Sequence, residues 1–340
     1  MPGSGGSVRK RCKLVQLVIF AKEQMQDANF PNAIFVCPNY RSMNKIILSL
    51  VFFGLYNVTA QKTDKDLQKQ IEALVKGFHG TVGIYVHDLK KDRIASYQAD
   101  TIFPTASIVK IPIMIGIMNR IQNGELDFHQ VMVYKDTINY DPGEDVLAAF
   151  KPDQKILLSK LLLLSLSLSD NTASLLLQGL AGGGLRINQL MDSIGFRVTR
   201  VNSRTPGREQ DREIYGWGQT SPREMTRIME FIEEGKLLNR HSSDRMLRTL
   251  GRQYWDEVAN SQIPPNVFVA SKSGAVDESR NEVLYVNAPH PYVFSIFTKN
   301  NTDQSWDYNN EAWVLTRKLS ALLFAYYNPE IKYDAEPVRK

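Results

Sequence analysis

The 340-residue sequence predicts an α+β fold, an antiparallel sheet with flanking helices built from both chain ends plus an inserted all-helical subdomain. Two observations lead there. Strand-like runs occur early and return after Pro264-Pro265, while Ser107 to about Pro265 is almost entirely helical in spacing. In order, Asp66 to Phe78 carries leucine and alanine at helical spacing, Thr81 to Leu89 reads as a strand ending in the Lys90-Lys91-Asp92 turn, and Ile94 to Gln98 pairs back. Ser165 to Gln178 reads as one leucine-rich buried helix, and Ser221 to Glu234 as an amphipathic helix opened by Ser221-Pro222. Strands follow at Phe268 to Ser273, Val283 to Asn287 and Tyr292 to Thr298, and a helix over Asn310 to Tyr327 closes the chain. A seam between sheet and helical segment is where a site is expected.

The formal net charge of +5 invites a nucleic-acid reading, so its location matters. Residues 1–60 hold seven of the 41 basic residues and two of the 36 acidic ones, which leaves 34 of each sign in 61–340. The body of the chain is neutral, and no nucleic-acid partner is expected. From Met43 the chain runs Met-Asn-Lys, an apolar stretch Ile46 to Tyr56, then Val58-Thr59-Ala60 before Gln61. That is a basic start, an apolar middle and a small-residue cleavage site, the pattern of a signal peptide. Residues 1–42 then read as an upstream extension, 43–60 as the signal peptide, and 61–340 as a catalytic domain. Within that domain, 61–105 and 265–340 form the α/β part and 106–264 the helical part. The expectation is a periplasmic or secreted bacterial monomer without a membrane anchor. Both cysteines, Cys12 and Cys37, precede the cleavage site, so no disulfide is expected.

Three strings occur in fixed order: Ser107-Ile108-Val109-Lys110, Ser169-Asp170-Asn171 and Lys272-Ser273-Gly274. Together they supply a nucleophile, a proton relay and a cationic anchor for a carboxylate, as serine acyl transfer requires. Ser-x-x-Lys alone means little, because it recurs at Ser7/Lys10 and Ser42/Lys45. Positions i and i+3 of a helix share a face, which brings the Lys110 amine toward Ser107 Oγ. That amine serves as a base only when neutral, a state favoured by burial and by a second cation at Lys272. Ser-Asp-Asn also suits a helix N-cap, and both roles are compatible. Pro112 falls early in the helix and disturbs a backbone bond if it lies beyond the first turn.

The order, the spacing and the flanks Phe103-Pro104-Thr105-Ala106 and Thr172-Ala173-Ser174 resemble the penicillin-recognising serine enzymes, most closely the class A β-lactamase family. The resemblance covers roughly residues 66 to 328. It implies a β-lactamase/transpeptidase-like fold and a serine hydrolase that is acylated at Ser107 by β-lactams and hydrolyses them, with no cofactor; the alternative is a carboxypeptidase or transpeptidase acylated by the D-alanyl-D-alanine peptide that β-lactams mimic, or a non-catalytic binder of either. It further implies that Ser169 relays a proton, that Asn171 holds an amide carbonyl of the substrate, and that Lys272 and Ser273 face its carboxylate. Gly274 would let the substrate backbone approach. The oxyanion hole falls at the backbone N–H groups of Ser107 and Ala275, with Arg280 as a carboxylate clamp offset by about one residue from the family's arginine. Tyr140 either walls the cleft or packs locally.

One departure bears on turnover. The family hydrolyses its acyl-enzyme with a water activated by a loop glutamate, and counting back from Thr220-Ser221-Pro222 puts Thr205 at that place. Glu209, Asp211 and Glu213 follow on the same loop, Glu209 being the first candidate to substitute, against a plain reading as a solvated charged loop. Without such a base the chain behaves as a penicillin-binding carboxypeptidase, transpeptidase or sensor rather than as a β-lactamase. The five histidines, at 79, 87, 129, 241 and 290, show no ligand spacing, so no metal site is expected. Gly182-Gly183-Gly184 lacks the Lys-Ser/Thr of a phosphate loop and reads as a turn.

Overall fold

The computed structural model describes residues 61–137, Tyr140 and 144–335. The expected extension, the signal peptide and both cysteines lie outside the described residues. Strand β1 (Lys62–Thr63) leads into helix α1 (Lys65–Val75), where the Asp64 carboxylate accepts the Leu67 N–H and caps the first turn. Leu67, Ile71 and Val75, four residues apart, form its buried face. Strands β2 (Thr81–Asp88) and β3 (Arg93–Tyr97) make a hairpin whose turn is held by Asp88 Oδ1, which accepts from Lys90 N and Lys91 N.

The helical insertion begins after β4 (Phe103–Pro104) with a 3₁₀ turn, Ala106–Val109, that runs into α2 (Lys110–Gln122). Pro112 is the third residue of α2. It therefore sits in the first turn, where its missing N–H costs little. After β5 (Val131–Val133), β6 (Lys155–Leu157), α3 (Leu158–Ser167), α4 (Asn171–Leu180) and α5 (Gly183–Ser193) come β7 (Arg200–Val201), α6 (Glu209–Tyr215) and β8 (Gly218–Thr220). Helices α7 (Pro222–Glu233) and α8 (Arg240–Leu250) complete the block. The chain returns to the sheet in β9 (Phe268–Val276), β10 (Ser279–Asn287) and β11 (Tyr292–Lys299), then closes in α9 (Glu311–Tyr327).

The main sheet has the order β1-β3-β2-β11-β10-β9, antiparallel except for the β1–β3 pair. Its central joint is β2 against β11, from Asp88↔Tyr292 to Thr81↔Lys299, so the two chain ends build one sheet as expected. Each face buries its own core. Ile84, Val86, Leu284, Val286 and Phe294 pack with α1 and α9, while Val283, Tyr285, Val293 and Phe297 pack with the insertion. This alternation is the period-2 pattern of a sheet covered on both sides. Among the described residues no helix is long and apolar enough to cross a membrane.

Two expectations need correction. Ser165 to Gln178 is not one helix: α3 ends at Ser167, Ser169 takes φ +62°, and Asp170 starts α4 by accepting from Ala173 N at 2.7 Å. That cap contributes about 1 kcal/mol and sets the break where Asp170 stands. The insertion also forms two small sheets, β5-β6 within itself and β8-β7 with β4 just before it, whose strands of two or three residues are too short to show a sequence period.

Candidate active site

Ser107 lies in the 3₁₀ turn that opens α2, directly after Ala106 at φ +44°. A non-glycine residue in that region is strained, and so is Ser169 at the α3–α4 break. Both strained residues aim functional groups at one point. The Lys110 amine, fully buried at the start of α2, lies 2.8 Å from Ser107 Oγ, 2.7 Å from Ser169 O, 3.1 Å from Ser169 Oγ and 2.7 Å from Asn171 Oδ1. From the edge strand β9, the equally buried Lys272 donates to Ser169 Oγ at 3.2 Å and to Ser273 O at 2.8 Å. The Ser169 hydroxyl thus stands between two lysines, one of which also touches Ser107.

Burial drives the Lys110 amine well below the ordinary lysine range, and the neighbouring Lys272 charge lowers it further, outweighing the opposite pull of Asp145 and Asp170. Four neighbours exceed the three donors of an ammonium. A neutral amine, with two N–H donors and one lone pair, has no more positions, but it can receive the Ser107 O–H while donating to Ser169 O and Asn171 Oδ1, which leaves Ser169 Oγ to Lys272. Burial also brings Lys272 down to about 7, against the favourable field of Glu282. Glu282 itself is pushed up to about 7 by burial; it faces the other side of the sheet, where Oε2 accepts from Ala259 N.

Two aspartates hold the Ser169–Asn171 segment in place. Asp170 accepts from Ala173 N and Leu147 N, and Asp145 accepts from Asn171 N, Thr172 N and Thr172 Oγ1 at 2.7–2.8 Å. Asp170 therefore serves as an N-cap while its neighbours face Lys110. Asp145 was not legible in the sequence, because it reaches α4 from 26 residues away.

A cavity of about 450 Å³ opens over Ser107, between Tyr140, Asn171 and Trp217 on one side and Ala275 and Val276 of β9 on the other. The Tyr140 ring meets Trp217 edge-on at 4.7 Å, so Tyr140 both walls the cleft and packs locally. Gly274 also matters within the protein itself. A Cβ there would lie 2.5 Å from Thr105 O and 2.9 Å from Ser107 N, so the glycine lets β9 press against the Ser107 turn. Ala275 follows next on the strand and lines the cavity.

The structure does not bring Arg280 to the cleft. It pairs with Ala275 in the ladder, and its guanidinium bonds the carbonyls of Val276, Asp277, Ser279, Gln304 and Ser305 beneath Trp313 of α9 and Trp306 of the loop before it. Side chains alternate faces along a strand, so an offset of one residue sends this arginine to the opposite side of the sheet. Glu209 is not among the described residues lining the cavity: it is exposed at the start of α6, where Oε1 accepts from Gly207 N. Asp211 pairs with Arg208, and α6 buries none of its residues. Thr205 is buried, with its hydroxyl donating to Ser203 O and its side chain filling the space that a Cβ on Gly184 would need. Among the described residues no group of three or more His, Cys, Asp or Glu is placed to hold a metal ion.

Comparison with known proteins agrees with this fold. The profile of the Beta-lactamase enzyme family matches residues 66–327. A β-lactamase of Streptomyces albus G is 26% identical over 251 residues, covering 68% of this chain and 77% of its own length. The extended-spectrum β-lactamase PER-1 of Pseudomonas aeruginosa is 24% identical over 272 residues, covering 76% and 87%. Among solved structures, a mutant of PBP-A in an acyl-enzyme complex with penicillin-G superposes with TM-score 0.69 at 24% identity, over 79% of this chain and 98% of that one. A β-lactamase from Sphaerobacter thermophilus gives TM-score 0.67 at 23% identity, over 78% and 99%. By fold, motif order and profile, the chain belongs to the β-lactamase enzyme family.

Proposed function

We propose that the chain is an exported serine acyl-transfer enzyme, acylated at Ser107 by β-lactams and slow to release the acyl group. The contact series Ser107 Oγ to Lys110 Nζ to Ser169 Oγ to Lys272 Nζ, at 2.8, 3.1 and 3.2 Å, is the observation that carries this reading. Lys110 takes the Ser107 proton as Oγ attacks the lactam carbonyl carbon. Ser169 gives its proton to the lactam nitrogen as the C–N bond breaks, and is replenished from Lys110. The product is a Ser107 ester with a free amine on the leaving side. The N–H groups of Ser107 and Ala275 stabilise the oxyanion, at roughly 3–4 kcal/mol per donor in comparable acyl transfer. Lys272 and Ser273 receive the substrate carboxylate, and Asn171 its side-chain amide.

Slow release is supported by Thr205, packed against Gly184, and by Glu209, turned to solvent. Neither offers a carboxylate to a water at the ester. A turnover β-lactamase is the second reading, favoured by relatives that carry that name. Nitrocefin separates the two: a burst of one equivalent followed by near-silence supports slow release, and steady turnover overturns it.

The two lysines predict a bell-shaped pH profile for acylation by benzylpenicillin. Lys110 gives up its proton first, because the charged Lys272 lies beside it, and the rate falls at low pH as Lys110 becomes protonated. Lys272 must stay charged to hold a carboxylate, so the rate also falls as pH rises through about 7. Rates measured between about pH 5 and pH 9 check this, and Lys272→Gln should remove the alkaline limb. Separately, Gly274→Ala should slow acylation about tenfold by forcing β9 off the Ser107 turn, since ångström-scale misplacement can cost up to ~10²-fold.

A further inference from the structure

Lys299, at the end of β11, takes no part in the chemistry above, yet it lines the same cavity as Ser107. The cavity has a direction. Lys272 and Ser169 serve the leaving nitrogen, whereas the lining residues of β9 are Ala275 and Val276, so the space runs along the strand away from Lys272. Four residues of strand carry it about 13 Å from Lys272 to Val276. The substituent on the acyl side of the scissile carbonyl must lie there. Its walls are Ile214, Tyr215 and Trp217, largely apolar, and Lys299 supplies a cation.

That cation is under-compensated. Its ammonium donates to Ile102 O at 2.8 Å and sits 5.1 Å from the Phe103 ring centre and 6.0 Å from that of Tyr215. Among the described residues no carboxylate lies within ion-pair distance of it. Burial alone lowers its affinity for a proton. Among the described residues the one acid lining the cavity, Glu278, is exposed and accepts from Gln304 Nε2 at 3.4 Å. An ammonium with one hydrogen bond has donors left for an incoming anion.

We infer that Lys299 is a specificity-determining residue, which selects acyl groups whose aromatic or apolar side chain also bears a carboxylate. The inference rests on the acylation reading and names the substrate class of that same site. A carboxylate meeting a half-buried ammonium is worth up to about 1 kcal/mol, or about fivefold in rate.

The test compares the full chain's acylation rates at Ser107 with benzylpenicillin and with its α-carboxybenzyl counterpart, by competition with a fluorescent penicillin. The carboxylated compound should react about fivefold faster, the preference should shrink in high salt, and Lys299→Met should abolish it while Lys299→Arg keeps it. Equal rates for the wild-type chain, or a preference for benzylpenicillin, overturn the inference without recourse to any variant. A preference that survives in folded Lys299→Met also overturns it. Absence of an adduct with either compound overturns the acylation reading, and this inference with it.

Discussion

Lys110→Met is expected to slow acylation of Ser107 by benzylpenicillin about 10³-fold, the range of a lost general base. Methionine matches the length and burial of the lysine but can neither accept the Ser107 proton nor reload Ser169. The substitution leaves Ser169 O and Asn171 Oδ1, now bonded by the amine at 2.7 Å, without that donor. An unsatisfied buried acceptor costs about 1–3 kcal/mol, so a lower melting temperature should accompany the slow rate. The two effects separate by pH: raising pH cannot rescue the variant, whereas the wild-type acid limb recovers as Lys110 deprotonates. A folded Lys110→Met chain that acylates at the wild-type rate would remove Lys110 from the mechanism.

Ser169→Ala should lower the same rate about 10²-fold through loss of the proton relay. Its hydroxyl lies 3.1 Å from one amine and 3.2 Å from the other, and no other described side chain is bonded to both. The carbonyl of residue 169 still accepts from Lys110, so base positioning persists while proton delivery to the leaving nitrogen fails. A β-lactam whose leaving amine needs less protonation should therefore suffer less from Ser169→Ala than benzylpenicillin does. Stopped-flow rates for the two substrates check this, and equal losses would assign Ser169 a purely structural role.

Much of the site was legible because its chemistry is local in sequence. Ser107 and Lys110 share a turn, and the three strings name five of the side chains that meet: Ser107, Lys110, Ser169, Asn171 and Lys272. Their convergence depends on tertiary placement: β9 reaches Ser107 only because Gly274 lacks a Cβ. Arg280 shows the limit of spacing arguments within a strand, where one residue decides the face and no motif reports the register. The break at Ser169 was hidden by an apolar run that continues on both sides of it, and the signal was Asp170, a residue suited to caps inside an apparent helix. Asp145, Trp217 and Lys299 join the site from loops or strand ends far away in sequence, where composition carries no period. The sheet was easier to read, since β2 and β11 are long, rich in β-branched and aromatic residues and buried on both faces, whereas the polar start of β10, Ser279 to Glu282, gave no strand signal.

Intact-mass spectrometry with peptide mapping after exposure to benzylpenicillin tests the central claim most directly. The account predicts one adduct per chain, on Ser107, that persists for hours. Absence of an adduct, or its location on any other residue, would contradict the site, and its loss within seconds would contradict slow release.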